Sequence, residues 1–326
     1  MKRVLNIFFE GLKIYCLNIH KFLLYMLFPV LGQVLGLFLV FGLNFWFTQN
    51  YQNLVVKYPA LNDMSALIGF AVLTTIPGLI ILMMAFWDYL VAYVALNSMA
   101  EGYLNTGKVY DFKAHKSVAT NKTFSFIALW FVFGIFTFIA TIPIFWILGG
   151  IFFIYFILIF QVFTFENGLS PLGYFKRSFE IIKGHFAATF VLMLILVIFT
   201  YFLLSSGLSV IFDYLNLTQS ISKSIEAWVF TLPIEPLEPY GITPAKIAEL
   251  ILDNIVLFIT IGFTLPLRSI CWTLWYNNFA EPVVQPSKTV KKKKTVSSKK
   301  AKTFKIEKRE IDPEIIRRAQ LEDDEY

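Results

Sequence analysis

Two charged residues sit inside long apolar runs, and no others in the chain have as much scope for chemistry. Asp88 lies near the start of FWDYLVAYVALNSMAEG, residues 86–102, and Arg268 lies within LPLRSICWTLWYNNFAEP, residues 265–282. The run from Phe86 aligns without gaps onto the run from Pro266, 180 residues later, which sets Asp88 opposite Arg268. Each is about ten residues, roughly 15 Å of helix, from the end of its apolar run. A charge near the middle of a bilayer costs at least about 2.5–3.5 kcal/mol, so it is paired or it lines a polar cavity. Asp88 and Arg268 therefore read either as an ion pair that fixes the packing of two hairpins or as the polar floor of a cavity for a lipid headgroup or small ion. Three acids, Glu101, Glu166 and Glu281, recur where apolar hairpins end, in SMAEG, TFENG and NFAEP.

Other chemistry is sparse. The three histidines, His20, His115 and His185, fall on short basic segments, and a zinc site would need them to converge in space. Headgroup contact is the plainer reading. Cys16 and Cys271 are too few for a disulfide framework or a metal site. There is no P-loop, G-x-S-x-G, H-E-x-x-H or Rossmann glycine run, so the sequence implies no cofactor and no metal and argues against an enzyme. GQVLG, Gly32 to Gly36, is a G-x-x-x-G, which predicts close helix packing.

These residues are held by elements that composition identifies. The chain has 326 residues, 57% hydrophobic and only 15% charged, where a soluble domain carries about 25% charge. A hydrocarbon core about 30 Å thick takes about 20 helical residues to cross. Six runs meet that length, at about 22–47, 65–98, 123–143, 147–165, 186–212 and 249–278. The fold class is thus an all-α, polytopic transmembrane bundle. The third and fourth runs share one unbroken apolar block, which can turn at Pro143 or at Gly149-Gly150. Pro77-Gly78 and Pro266 interrupt their runs, which kinks a helix.

Basic residues set the orientation. Lys2, Arg3, Lys13 and Lys21 precede the first run. Lys108, Lys113, Lys116 and Lys122 lie between the second and third, and Lys176, Arg177 and Lys183 between the fourth and fifth. The alternate loops hold Lys57, Lys223 and Lys246. Both termini are expected on the cytoplasmic side of a bacterial inner membrane. The acidic outer loop, 213–247, contains the proline-dense LPIEPLEPYGITP, with a short helix expected at 216–229.

A threefold internal pattern organises the chain. A short amphipathic stretch precedes each pair of spans, at 4–22, 109–124 and 173–186. In the last, Phe175, Phe179, Ile182 and Phe186 recur at helical spacing, whereas Lys176, Arg177 and Lys183 fall elsewhere. Such a helix lies in the membrane interface with its basic face toward anionic headgroups. Residues 1–282 thus form a six-span domain of three interfacial-helix-plus-hairpin units. Residues 283–309 read as a basic disordered linker whose Lys291, Lys292, Lys293 and Lys294 suit the anionic inner leaflet. No aromatic interleaving supports nucleic acid as its partner. Residues 310–326 read as a short helix, begun by Asp312 and Pro313, or as a disordered tail. The helix would offer a contact to another membrane protein.

Two stretches carry a family resemblance. ENGLSPLGYFKRSFEIIKGHF, residues 166–186, and LPLRSICWTLWYNNFAEP resemble the membrane domain fused to some bacterial glycerophosphodiester phosphodiesterases, and its free-standing relatives. The matching positions are Glu166, Gly168, Arg177-Ser178, Lys183-Gly184, Pro266-Leu267 and Tyr276-Asn277. Asn277 and Asn278 stand where that family tends to place an acid and an arginine. The resemblance implies a six-span fold and a membrane setting. It does not imply phosphodiesterase activity, because the catalytic domain and its His, Glu and Asp metal ligands have no counterpart here.

Overall fold

The computed structural model describes residues 1–109, 112–230, 241–280 and 307–308. It is an all-α polytopic bundle with six helical segments long and apolar enough to cross a membrane: Ile19–Phe47, Met64–Thr106, Thr123–Ala140, Pro143–Phe165, Phe186–Tyr214 and Pro244–Phe279. By length and composition this is a multi-pass membrane protein. Helices α1 (Lys2–Leu17), α4 (Phe112–Thr120) and α8 (Pro171–Ile182) each precede a pair of these segments. The first pair is α2 (Ile19–Lys57) and α3 (Met64–Thr106). The second is α5 (Thr123–Ala140) with α6 (Trp146–Tyr155) and α7 (Ile159–Phe165). The third is α9 (Phe186–Val197), continued through a π-helical stretch into α10 (Ser205–Tyr214), with α12 (Pro244–Phe279). The connection between α10 and α12 carries α11 (Leu217–Val229), close to the expected helix. The only extended pairing among the described residues joins Glu166–Asn167 to Glu307–Lys308, antiparallel.

The chain divides into two compact units. The first holds residues 1–18, 91–194 and those from 267 onward, so it contains all three short helices. In α1, Val4, Ile7, Phe8, Gly11, Ile14 and Tyr15 are buried at helical spacing. Gly11 lies so close to Cys271 on α12 that a Cβ there would stand 2.5 Å from its sulfur, so only glycine admits the contact. In α8, Ser170 caps the N-terminus by accepting from the Gly173 N–H at 3.2 Å, and Pro171 opens the helix.

The face of α8 meets protein where an interfacial helix would meet lipid. Phe175 is buried with its ring 5.3 Å from Phe136 on α5 and 5.0 Å from Phe156. Phe179 stacks 4.5 Å from Tyr155, whose carbonyl accepts from the Ser178 hydroxyl at 2.8 Å. The amphipathic period is as expected, but the partner of the apolar face is the second hairpin.

The turn of that hairpin falls at Thr141–Phe145, around Pro143. Gly149 is inside α6, where a Cβ would meet the Ala140 Cβ at 2.7 Å.

The second unit comprises 19–90 and 195–266. Its G-x-x-x-G does what that spacing predicts. A Cβ on Gly32 would meet the Ala85 Cβ at 2.8 Å, and one on Gly36 would meet the Leu82 backbone at 2.8 Å. From the facing helix, a Cβ on Gly78 would strike the Val40 nitrogen at 2.6 Å and the Gly36 oxygen at 2.8 Å. Small residues on both helices thus bring α2 and α3 into backbone contact. Nearby, the Asn44 amide donates to Thr75 Oγ1 at 2.9 Å. Ahead of α3, Asp63 accepts from the Ser65 hydroxyl and the Ala66 N–H, and these bonds, the hydroxyl foremost, hold its carboxyl below the usual range.

Candidate functional site: polar ties in the first unit

The positive φ of Gly168, 80°, turns the chain sharply between α7 and α8. This folds Arg177 back onto Glu166. Glu166 is only 2% exposed, and its two carboxylate oxygens accept from Arg177 Nε at 2.9 and 3.2 Å. The Tyr276 hydroxyl on α12 donates to the same carboxylate at 2.8 Å. The Arg177 side chain is 16% exposed and also reaches Glu180 at 3.9 Å. One buried carboxylate thereby ties three elements. Its charge also acts on Tyr174, whose phenol is pushed above its ordinary value first by burial and then by Glu166.

A second, uncharged cluster joins three spans. Asn97 on α3 accepts from the Gln161 amide at 3.1 Å and from the Ser269 hydroxyl, and its own amide donates to Thr164 Oγ1 at 3.4 Å. All four side chains are buried. Gln161 Oε1 and, further along α12, Thr273 Oγ1 are buried without a hydrogen-bond partner among the described residues. At the end of α12, the Arg3 guanidinium donates to the Asn278 carbonyl and side-chain oxygens, both at 3.1 Å, and lies 4.2 Å from the Phe279 ring. His185 packs 4.1 Å from the same ring. Tyr15, buried on α1, has its phenol pushed up to about 12 by burial and by the neighbouring Cys16.

Asp88 is half-buried in the second unit, where its charge acts on Tyr25. Arg268 is half-buried and belongs to the first unit. Glu101 is half-buried near the C-terminal end of α3. Lys176 and Lys183 are exposed, whereas Arg177, grouped with them by the sequence, is engaged by Glu166. Glu281, Lys291, Lys292, Lys293 and Lys294 lie outside the described residues, as do most of the tail and the proline-dense segment.

His115 is buried with Nδ1 2.9 Å from Ser98 Oγ, whereas His20 and His185 are exposed. No group of three His, Cys, Asp or Glu side chains able to hold a metal occurs among the described residues.

Charge-based reading misses Asn97, Gln161, Thr164 and Ser269. The signal that finds them is amide and hydroxyl side chains inside apolar runs, since each polar group in hydrocarbon needs a partner. Comparison with models of known protein families, with curated proteins and with solved structures gives no match.

Proposed function

We propose that this multi-pass protein is non-enzymatic and binds or organises lipid, or other membrane proteins, in the bacterial inner membrane, with both termini cytoplasmic. One observation carries the reading: α8 is fastened by Glu166, Arg177 and Tyr276 while Lys176 and Lys183 on and beside it stay exposed. A fixed helix with free lysines at the end of apolar spans offers a preorganised contact for anionic headgroups, worth about 1 kcal/mol per lysine near the surface. The basic tail would add to it. The resemblance to the phosphodiesterase-associated membrane domain runs through the same residues and accords with a membrane role that does not involve catalysis.

Native mass spectrometry of protein extracted in mild detergent tests this. Retained lipid should be enriched in phosphatidylglycerol or cardiolipin, and Lys176→Gln/Lys183→Gln should lower that enrichment several-fold. Retention without headgroup preference, or a preference that ignores both lysines, would rule the reading out.

A second reading, a transporter or lipid translocator with Asp88 and Arg268 as its charged groups, each within its own unit, is favoured by the spare acceptors Gln161 Oε1 and Thr273 Oγ1. Buried polar atoms with unused bonding capacity suit a polar solute. Reconstituted vesicles in which a fluorescent lipid crosses leaflets at a rate that Asp88→Asn abolishes would establish it.

A further inference from the structure

The hairpin of α5 and α6–α7 has an unusual tip. No charged residue occurs between Lys122 and Glu166. Both ends are anchored: Lys122 Nζ reaches the Phe163 carbonyl at 3.4 Å, and Glu166 is held by Arg177. From there α5 has 18 residues, about 27 Å of rise, against a hydrocarbon core of about 30 Å. The returning arm, Pro143–Phe165, has 23 residues but is not continuous helix, being broken between α6 and α7. By contrast, α2 ends on Lys57 and the connection to α3 carries Asp63.

Most of the turn's backbone N–H groups are bonded within it. Thr141 N–H donates to the Thr137 carbonyl at 3.1 Å, Ile142 N–H to Ile139 at 3.2 Å and Phe145 N–H to Ile142 at 2.9 Å. The Trp146 N–H bonds the Pro143 carbonyl, and Pro143 itself has no N–H to satisfy. The Thr141 hydroxyl donates to the Phe138 carbonyl at 2.6 Å. The Trp146 indole N–H, which on a membrane surface would point to water, donates back to the Thr141 carbonyl at 3.1 Å. Internal satisfaction of this kind is what hydrocarbon demands of non-helical backbone. Ile144 and Ile147 are 81% and 82% exposed. Phe131 and Phe138 on α5 are likewise exposed.

We propose that this tip ends within the acyl-chain region of the leaflet opposite its charged anchors, with lipid tails as its partner. The inference shares lipid as partner class with the function proposed above but does not depend on Lys176 or Lys183.

Power-saturation electron paramagnetic resonance tests it. A nitroxide is placed at Ile144→Cys, and separately at Ile147→Cys, in a Cys16→Ser/Cys271→Ala background reconstituted into phosphatidylethanolamine/phosphatidylglycerol vesicles. Tyr58→Cys, beside Lys57, is the water-exposed reference. At both tip positions oxygen accessibility should exceed that of a water-soluble nickel chelate several-fold, the reverse of Tyr58. Nickel accessibility equal to or above that of oxygen would place the tip in water. Low accessibility to both would mean that protein, including a second copy, covers it. Either result overturns the inference. Loss of headgroup selectivity in native mass spectrometry would leave it standing.

Discussion

Replacing Arg177 with alanine should expose how much the buried carboxylate depends on its partner. Glu166 would keep the Tyr276 hydroxyl and lose both contacts with Arg177 Nε. Removing one member of a buried pair costs about 3–5 kcal/mol. Arg177 is 16% exposed, so water can enter the vacated space and the cost falls toward the lower end. Arg177→Ala should therefore lose about 3 kcal/mol. Unfolding by sodium dodecyl sulfate titration in mixed micelles at pH 7 measures this. Arg177→Ala/Glu166→Gln should be more stable than Arg177→Ala at pH 7, with a coupling of at least about 1 kcal/mol. Additivity within about 0.5 kcal/mol would refute the reasoning.

Three further outcomes are expected. Asn97→Leu removes three interhelical hydrogen bonds. At about 0.6 kcal/mol each in a membrane protein this is a loss of about 2 kcal/mol, measurable by the same titration. Gly36→Ala drives a methyl against the Leu82 backbone, which cannot rotate away, and should cost about 1–3 kcal/mol. Gly69→Ala, with open space around it, should not weaken the same transition. The phenol of Tyr15 is raised from 10.0 to about 12. The folded state therefore holds a proton that the unfolded state releases, and stability falls as pH rises from 10 to 12. Tyr15→Phe should flatten the alkaline limb of a thermal-melt pH series.

The spans were legible because crossing a bilayer requires length and apolarity, and both are local in sequence. Their ends were less so: α2 runs on to Lys57, beyond its apolar window, because a helix needs no hydrophobicity to continue. The partner of α8 was hidden, since an apolar stripe looks the same whether it faces lipid or Phe136 and Phe156. Glu166 and Arg177 were both conspicuous, yet eleven residues apart across a glycine turn they obey no helical pairing rule. Asn97 and Gln161 vanish in a hydropathy average, in which one amide among many apolar residues weighs little. The contact of Gly36 with the facing helix was readable, because G-x-x-x-G states a steric requirement rather than a chemical one.

The charge-free turn at Thr141–Phe145 bears on biogenesis. A connection with charged residues must be driven across the bilayer during synthesis. Here nothing between Lys122 and Glu166 needs export. The two arms can leave the translocon together as one preassembled hairpin, already closed at Ala140 and Gly149. Insertion would then proceed in unequal steps, with the middle pair entering the bilayer without a translocated loop.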